Sequence, residues 1–296
     1  MMMASVMLTG ISLTANAQLL SSSTTHAAAE EAGQQGSGSD WVRGPEASLP
    51  LWELGVSGFA LSRTAYPGSD TYVSRALIVP HFLYRGEHLR VERGGTGYRA
   101  VKTPRFEFDI GFSGTLGSSS DKVLARRGME TIGHMVEFGP RLNWNLNEPN
   151  ETERWRLELP LRAVFDVSDG FRRRGFTFEP ELSHSHRFDS GWRYSSGISA
   201  VWGNKSFADV FYTVRPDQAL ADRPAYQAQS GLLTWRLSST ISKQFDRDWR
   251  FLAGLRIETV EGAANQASPL VRKKTAPSLV LGLTYTFKQS QRRSDE

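Results

Sequence analysis

The residues of this 296-residue chain that could do chemistry are histidines, serines, glycines and charged side chains, and their spacing assembles no known catalytic or metal site. His184 and His186 would share one face of a strand, where two imidazoles could bind a metal, but no third ligand lies nearby in the sequence. Residues 94–97 are glycine-rich but lack the Lys-Ser or Lys-Thr pair of a phosphate-binding loop. The chain has no cysteine, which excludes thiolate ligands and a cysteine nucleophile. We therefore predict no catalytic residue, no bound metal and no cofactor.

Charged side chains form a second group of interest, because they alternate with apolar ones along the chain. Within 154–167, tryptophan, leucine and phenylalanine alternate with arginine, glutamate and aspartate. Successive strand side chains point to opposite faces of a sheet, so one face is apolar and the other charged. We interpret the charged face as the inside of a barrel. The candidate lumen charges are Arg154, Arg156, Glu158, Arg162, Glu179, Glu181, Arg193, Arg236, Arg250, Arg256 and Glu258.

The elements that position these charges are therefore predicted to be strands. A water-soluble β-sandwich would show the same alternation, with its apolar face turned to a core. Two details favour the membrane. The segments 154–167 and 230–243 exceed the five or six residues usual in soluble sheets and reach the roughly 9–11 that a tilted transmembrane strand needs. Aromatic residues such as Trp192, Trp202 and Trp249 sit near segment ends, where interfacial girdles belong. The predicted fold class is all-β, an antiparallel transmembrane β-barrel.

The connections predict the topology of this barrel, because outer-membrane barrels join short periplasmic turns to longer external loops. The count is about 10–12 strands, and a bacterial barrel with both termini in the periplasm needs an even number. The clear strands give an odd number, so either a short strand such as 207–214 completes the set or one strand has been divided in two. Short links are predicted at 85–88, 147–153, 188–191 and 245–248, and long ones at 66–71, 168–175, 204–229 and 261–276.

The two ends of the chain differ from this pattern. An apolar stretch that ends in the small-x-small sequence Ala15-Asn16-Ala17 predicts a signal peptide over 1–17, although no Lys or Arg precedes it. Residues 18–48, rich in Ser, Ala and Gly, are predicted to be a flexible linker. The barrel is expected over 49–287, followed by a short polar tail over 288–296.

Composition excludes two other classes of protein. The mean hydropathy of -0.39 and the lack of an apolar run of roughly 18 residues exclude a helical membrane bundle. The formal charge of +4 is small, and both signs are spread along the chain. We therefore expect no nucleic-acid partner.

Several short motifs, in order, resemble the MipA/OmpV family of outer-membrane proteins, named after an MltA-interacting protein. The motifs are Tyr66-Pro67-Gly68-Ser69-Asp70, Pro80 with Tyr84-Arg85-Gly86, Ala125-Arg126-Arg127-Gly128-Met129, Glu137-Phe138-Gly139-Pro140, Ser268-Pro269-Leu270-Val271 and Leu283-Thr284-Tyr285-Thr286-Phe287. The resemblance covers nearly the whole barrel. It implies a barrel in the outer membrane of a Gram-negative bacterium. It also implies a scaffold that joins a lytic transglycosylase to a bifunctional penicillin-binding protein. Family members usually end at an aromatic residue, whereas this chain continues past Phe287.

Two of these motifs provide the candidate functional positions. Residues 66–70 have the Pro-Gly order of a tight turn, and a structural role for the tyrosine is favoured over ligand contact. Arg126 and Arg127 are expected to pair with Glu107, Asp109 or Glu137, or else to contact an anionic solute or a lipopolysaccharide phosphate. The candidate positions are Tyr66, Pro67, Gly68, Ser69, Asp70, Arg126, Arg127, Gly128 and Met129.

The resulting functional hypothesis is a non-enzymatic outer-membrane barrel that works as a MipA-like scaffold for murein-processing enzymes. Outer-membrane lipid and lipopolysaccharide would surround it. A porin-like channel for small polar or anionic solutes is the alternative, although an ion-pair network that closes the lumen is favoured over an open pore. An outer-membrane lipid hydrolase is a third and less favoured hypothesis.

Overall fold

The structure is a computed structural model that describes residues 49–86, 89–92, 95–115, 117–118, 122–148 and 152–292. The expected signal peptide and linker lie outside these ranges. The described chain is dominated by strands, and its one α-helix, here α1, spans Lys205–Tyr212. The strands are β1 (Trp52–Thr64), β2 (Tyr72–Arg85), β3 (Leu89–Glu92), β4 (Gly95–Lys102), β5 (Phe106–Thr115), β6 (Met135–Asn145), β7 (Glu153–Asp166), β8 (Arg172–Phe178), β9 (Glu181–Arg187), β10 (Trp192–Gly203), β11 (Gly231–Gln244), β12 (Trp249–Thr259) and β13 (Thr275–Gln289). The last strand thus ends two residues beyond the expected end of the barrel.

The strands form one closed antiparallel sheet. Each strand pairs with its neighbours in chain order, and closure comes from the pairing of β1 with β13 and of β10 with β11. Both β8 and β9 lie between β7 and β10, so these two of the thirteen strands share one position and the wall has twelve. The break between them contains Pro180, which has no N–H to donate to a ladder. The predicted even number is confirmed.

The segment expected as a further short strand, 207–214, is instead mostly helical, so that prediction was wrong. The Asn204 side chain accepts a hydrogen bond from the Phe207 N–H at 3.2 Å and caps α1. Phe207, Ala208 and Tyr212 are buried on one side of the helix. That spacing follows the helical period of 3.6 residues and not the period of two.

The wall turns its large apolar side chains outward and its polar side chains inward. On β13, Leu279 and Leu281 are 55% and 54% exposed, whereas Ser278 before them and Thr284 after them are buried. The same alternation occurs on β5 and on the other long strands. A soluble sandwich would bury the leucines, so exposed apolar bands beside a polar interior indicate hydrocarbon outside the wall. The predicted transmembrane barrel is confirmed. Within the described ranges, no helix is long and apolar enough to cross a membrane.

The two ends of the barrel carry different connections. At one end, here the turn end, lie the first and last residues of the wall and the short links after β2, β4, β6, β9 and β11. At the other, here the loop end, lie the long connections 65–71, 116–134, 204–230 and 260–274. The predicted short links therefore fall on one end and the predicted long loops on the other, but the link predicted to be long at 168–175 is short, because β8 begins at Arg172. The turn end faces the periplasm, as short turns and termini do in outer-membrane barrels.

Candidate functional site

The long connections at the loop end pack together into one lid across the mouth of the barrel. We define the lid as the described residues 65–71, 117–118, 122–134, 204–230 and 260–274. Its apolar side chains share one core with inward residues of the wall, so the lid is inserted into the mouth and not merely resting on it. Burying each large apolar side chain contributes about 1.5–3 kcal/mol. The buried members of this core are Ala65, Tyr66, Val123, Met129, Ile132, Met135, Val164, Phe207, Ala208, Tyr212, Val214, Ala228, Leu233 and Leu270.

The first candidate motif forms a turn that is fastened to the lid. Gly68 has φ +92°, a left-handed value that suits the third position of the turn, and the Ser69 N–H donates to the Tyr66 carbonyl at 3.0 Å. The Tyr66 hydroxyl donates to the Leu270 carbonyl at 2.7 Å. Burial raises the pKa of Tyr66 to about 12. Two motifs that are about 200 positions apart in sequence therefore meet here, and Tyr66 has the structural role favoured above.

The other residues of this first motif differ in burial. Ser69 is buried, and its hydroxyl accepts a hydrogen bond from the Thr71 N–H at 3.1 Å. Pro67 is half-buried and Asp70 is exposed. The motif therefore presents only Asp70 to solvent, while its other residues build the turn.

The second candidate motif also belongs to the lid, but its arginines do not have the expected partners. Arg126 is buried and donates to the carbonyls of Phe211 and Glu130 at 3.3 and 3.1 Å, and its guanidinium lies 5.7 Å from the centroid of the Tyr66 ring. Burial lowers the pKa of Arg126. The expected pairing with strand acids was wrong, because the short 3-10 helix 124–126 lies within the lid, where backbone carbonyls and an aromatic ring surround the guanidinium.

Other residues of that motif have separate positions. Arg127 and Gly128 are exposed, with Gly128 at φ +77°, and Met129 belongs to the lid core. The sequence analysis missed Arg223, which is buried and donates to the carbonyls of Ala125 and Arg127 at 3.1 and 2.9 Å. No signal in its surroundings distinguishes Arg223 from the other arginines of a long polar loop. It ties the second motif to the connection that carries α1.

The eleven predicted lumen charges all lie on the inward side of the wall, at positions that alternate with outward apolar residues. Near the turn end, Arg250 contacts Glu53 at 2.7 Å, and Arg85 contacts the same carboxylate at 2.7 Å. Glu53 is fully buried. Neither Glu53 nor Arg85 was among the predicted charges, although each lies on a strand face where polar residues alternate with apolar ones.

A second group of ion pairs lies on the inward faces of three neighbouring strands. Asp109 accepts two hydrogen bonds from Arg141 at 3.0 and 2.8 Å, a bidentate arrangement that is stronger than a single contact. Glu158 lies 4.0 Å from Arg141 and 3.8 Å from Arg156. The pairing joins β5, β6 and β7 across their inward faces.

A third group forms a continuous chain of charges beneath the lid. Glu137 lies 3.8 Å from Arg162, which lies 3.9 Å from Glu179. Arg236 contacts Glu179 at 2.6 Å and Glu258 at 2.8 Å. These ion pairs, in which carboxylates alternate with guanidinium groups, connect the inward faces of β6, β7, β11 and β12. Predicted lumen residues outside these pairs, but on the same inward faces, are Arg154, Glu181, Arg193 and Arg256.

A cavity of about 120 Å³ remains between this third group and the lid. We call it the chamber. Its roof is formed by lid side chains that include Tyr66, Phe207 and Tyr212, and its floor by charged side chains that include Arg162 and Arg236. The chamber therefore has one apolar and one charged side, inside a barrel whose mouth is occupied.

The histidine pair lies far from the chamber, on the outward face near the turn end. His184 packs on the Trp155 ring with centroids 4.5 Å apart and contacts Glu153 at 3.0 Å, and His186 packs on Phe188 at 4.7 Å. Within the part of the chain that the structure describes, no group of three or more His, Cys, Asp or Glu residues could hold a metal ion. The arrangement suits the interface between lipid and water.

Comparisons with known proteins were made for the whole chain. A family model described as MltA-interacting protein MipA matches residues 54–287. No curated protein gives a significant match. Among solved structures, the chain is similar to the CymD monoaromatic hydrocarbon channel, with 10% identity, 84% of this chain and 91% of that chain covered, and a TM-score of 0.36.

Two further solved structures are similar to a comparable degree. The KdgM porin in complex with disordered oligogalacturonate has 12% identity, 79% and 99% coverage of this chain and of that chain, and a TM-score of 0.36. OmpT, an outer membrane protein of Vibrio cholerae, has 6% identity, 80% and 100% coverage, and a TM-score of 0.33.

Proposed function

Because the chain belongs to the MltA-interacting protein MipA family, we propose that this outer-membrane barrel is a non-enzymatic scaffold between the membrane and murein-processing enzymes. The partners in this proposal are a lytic transglycosylase and a bifunctional penicillin-binding protein. The family description names the first kind of contact, and the resemblance of the motifs implies the second.

The observation that carries this proposal is the occupied mouth of the barrel. A channel needs a continuous aqueous path along its axis. Here four connections place one apolar core across the loop end, and the buried Glu53, Arg85 and Arg250 cluster lies on the inward side of the wall near the turn end. A barrel closed in this way acts through its outer surfaces. The alternative of a porin-like channel requires the lid to leave the mouth.

The turn end is the surface that fits periplasmic enzymes. It faces the periplasm, and the first strand begins there, so residues 18–48 are attached on the same side. Its links present exposed charged residues such as Asp189 and Arg247. We infer that these turns and the preceding 18–48 segment form the docking surface.

Conductance in a planar lipid bilayer tests the closed barrel. We expect the purified wild-type chain to give no unitary steps. A variant in which 205–229 is replaced by a four-residue turn removes α1 and the core around it, and it is expected to conduct. This variant shows that the assay detects an open barrel. Unitary steps from the wild-type chain would reject the closed scaffold and favour the channel.

Co-purification from detergent extracts tests the partners. The tagged chain is expected to retain the transglycosylase and the penicillin-binding protein. A deletion of 18–48 that keeps the signal segment, and the double charge reversal Asp189→Lys with Arg247→Glu, are expected to reduce that retention. Arg215→Glu, at an exposed position of the lid, is the matched control and should have no effect. If neither enzyme is retained by the wild-type chain, the scaffold is rejected; if only the control variant loses them, the docking surface is on the other end.

A further inference from the structure

The chamber beneath the lid has two chemically different sides. The roof contributes apolar side chains from the lid and from the top of the wall, among them Phe207, Phe211 and Leu233. The floor contributes carboxylates and guanidinium groups of the third ion-pair group. A genuinely empty cavity is lined by apolar groups, and each buried water needs about two to four polar partners. The division suits an amphipathic occupant.

The Tyr212 hydroxyl is a buried polar group of the chamber without a hydrogen-bond partner among the described residues. Tyr212 is fully buried and lines the chamber, and within the described residues its hydroxyl oxygen has no hydrogen-bond partner. Its backbone carbonyl is already engaged, since it accepts a hydrogen bond from the Ser268 hydroxyl at 2.8 Å. Burial, and then the negative charge of Glu258, raise the pKa of Tyr212 far above its usual range. The phenol is therefore a neutral donor that needs an acceptor, because buried hydroxyl groups are nearly always hydrogen-bonded.

The charges that line the chamber favour an anionic acceptor. Four guanidinium groups line it, against three carboxylates. Glu181 interacts electrostatically with Arg256, but Glu181 is not one of the residues that line the chamber. Guanidinium groups hold carboxylates through charge-assisted hydrogen bonds. The charged lining residues are the arginines Arg63, Arg162, Arg236 and Arg256 and the glutamates Glu137, Glu179 and Glu258.

We propose that the chamber is an occluded binding site for a small carboxylate with a short apolar body. The carboxylate accepts a hydrogen bond from the Tyr212 hydroxyl and faces the guanidinium groups of the floor, and the apolar body packs under Phe207 and Leu233. The volume of about 120 Å³ is somewhat below the roughly 150 Å³ of an engineered protein cavity that holds benzene, so an occupant of about six heavy atoms fits. Butyrate has this size and chemistry. The site is independent of the scaffold, which would bind its enzymes at the turn end whether or not the chamber is occupied.

Saturation-transfer NMR on the full chain in deuterated detergent tests the site directly. Butyrate is the ligand, and butanol and butylamine are its neutral and cationic analogues. We expect transfer to butyrate and little to either analogue. Tyr212→Phe is expected to weaken butyrate binding roughly tenfold or more, because it removes a hydrogen bond to a charged acceptor. Tyr226→Phe is the matched control, since that lid hydroxyl already contacts Asn265 at 3.4 Å and does not line the chamber.

A second measurement needs no variant that could misfold. With tyrosine labelled at the ring carbon that bears the hydroxyl, butyrate is expected to shift one of the eight tyrosine resonances of the wild-type chain. The proposal is overturned if butyrate shows no transfer and shifts no tyrosine signal, in which case the chamber holds water only. Equal transfer to all three molecules, or unchanged butyrate binding in Tyr212→Phe, would overturn it as well.

Discussion

Replacing Glu53 with glutamine removes the single carboxylate that two buried arginines share near the turn end. Arg85 and Arg250 each contact Glu53 at 2.7 Å, and the side chains of all three are at most 7% exposed. Removing one partner from a buried ion pair costs about 3–5 kcal/mol, because the remaining charge stays buried without compensation. Here two guanidinium groups lose their carboxylate, so we expect Glu53→Gln to lower the free energy of unfolding by an amount toward the upper end of that range.

Urea-induced unfolding from phospholipid vesicles, followed by tryptophan fluorescence, measures this loss. Glu130→Gln is the control, since Glu130 and Arg215 form an ion pair with side chains 67% and 50% exposed, and such pairs contribute about 0–1 kcal/mol. Replacing Glu53, Arg85 and Arg250 together with methionine should restore most of the stability, because burying apolar groups avoids the desolvation cost. The reasoning fails if Glu53→Gln unfolds within about 1 kcal/mol of the wild-type chain.

Three further outcomes are expected. Tyr66→Phe leaves the buried Leu270 carbonyl without its 2.7 Å donor, which should cost about 1–3 kcal/mol and speed proteolysis within 260–274; an unchanged cleavage rate would contradict the role of this hydrogen bond. The Tyr66 phenol, whose pKa burial raises from 10.0 to about 12, stabilises the fold fully below pH 10, and this contribution is lost as the pH rises toward 12, because the unfolded phenol ionises first. Absorbance at 295 nm should show that the titration missing from Tyr66→Phe has a midpoint near 12, and a midpoint near 10 would be inconsistent with burial. Gly139→Ala would place a Cβ against the carbonyl oxygen of Leu161 and should reduce the heat-modifiable folded fraction on gels, whereas Gly111→Ala, whose Cβ would meet no atom closer than 3.6 Å, should fold normally; equal folding of both would refute the steric argument.

The lid and the lumen network use the charges of the chain in different ways. In the lumen, carboxylates and guanidinium groups pair across neighbouring strands. In the lid, Arg126 donates to backbone carbonyls of its own and of another connection, and Arg223 donates to carbonyls of the connection that carries Arg126. Loops inside the mouth of a barrel carry carbonyls that are hidden from water, and an arginine satisfies two or three of them at once. The buried arginines of the lid are thus held by backbone carbonyls.

The sequence by itself determined the faces of the wall. Alternation along a strand is a local property, and hydrocarbon outside with water or polar groups inside imposes it on each strand separately. The eleven lumen charges, the short links and the long loops could therefore be predicted from residue order alone. The same local reasoning failed at 207–214, where a helical period of three or four residues resembles a short strand when only a few residues are read.

Only the tertiary structure decided which of these residues meet. Glu53, Arg85 and Arg250 come together because closure places β1 between β2 and β13, with β12 on the far side of β13, and no local pattern encodes that order. The contacts of Tyr66 with Leu270 and of Arg126 with Phe211 arise in the same way, since the closed wall brings four distant connections over one mouth. Contacts between loops depend on the circumference and closure of the whole sheet. A strand pattern fixes what each side chain faces, while the closed barrel fixes what it touches.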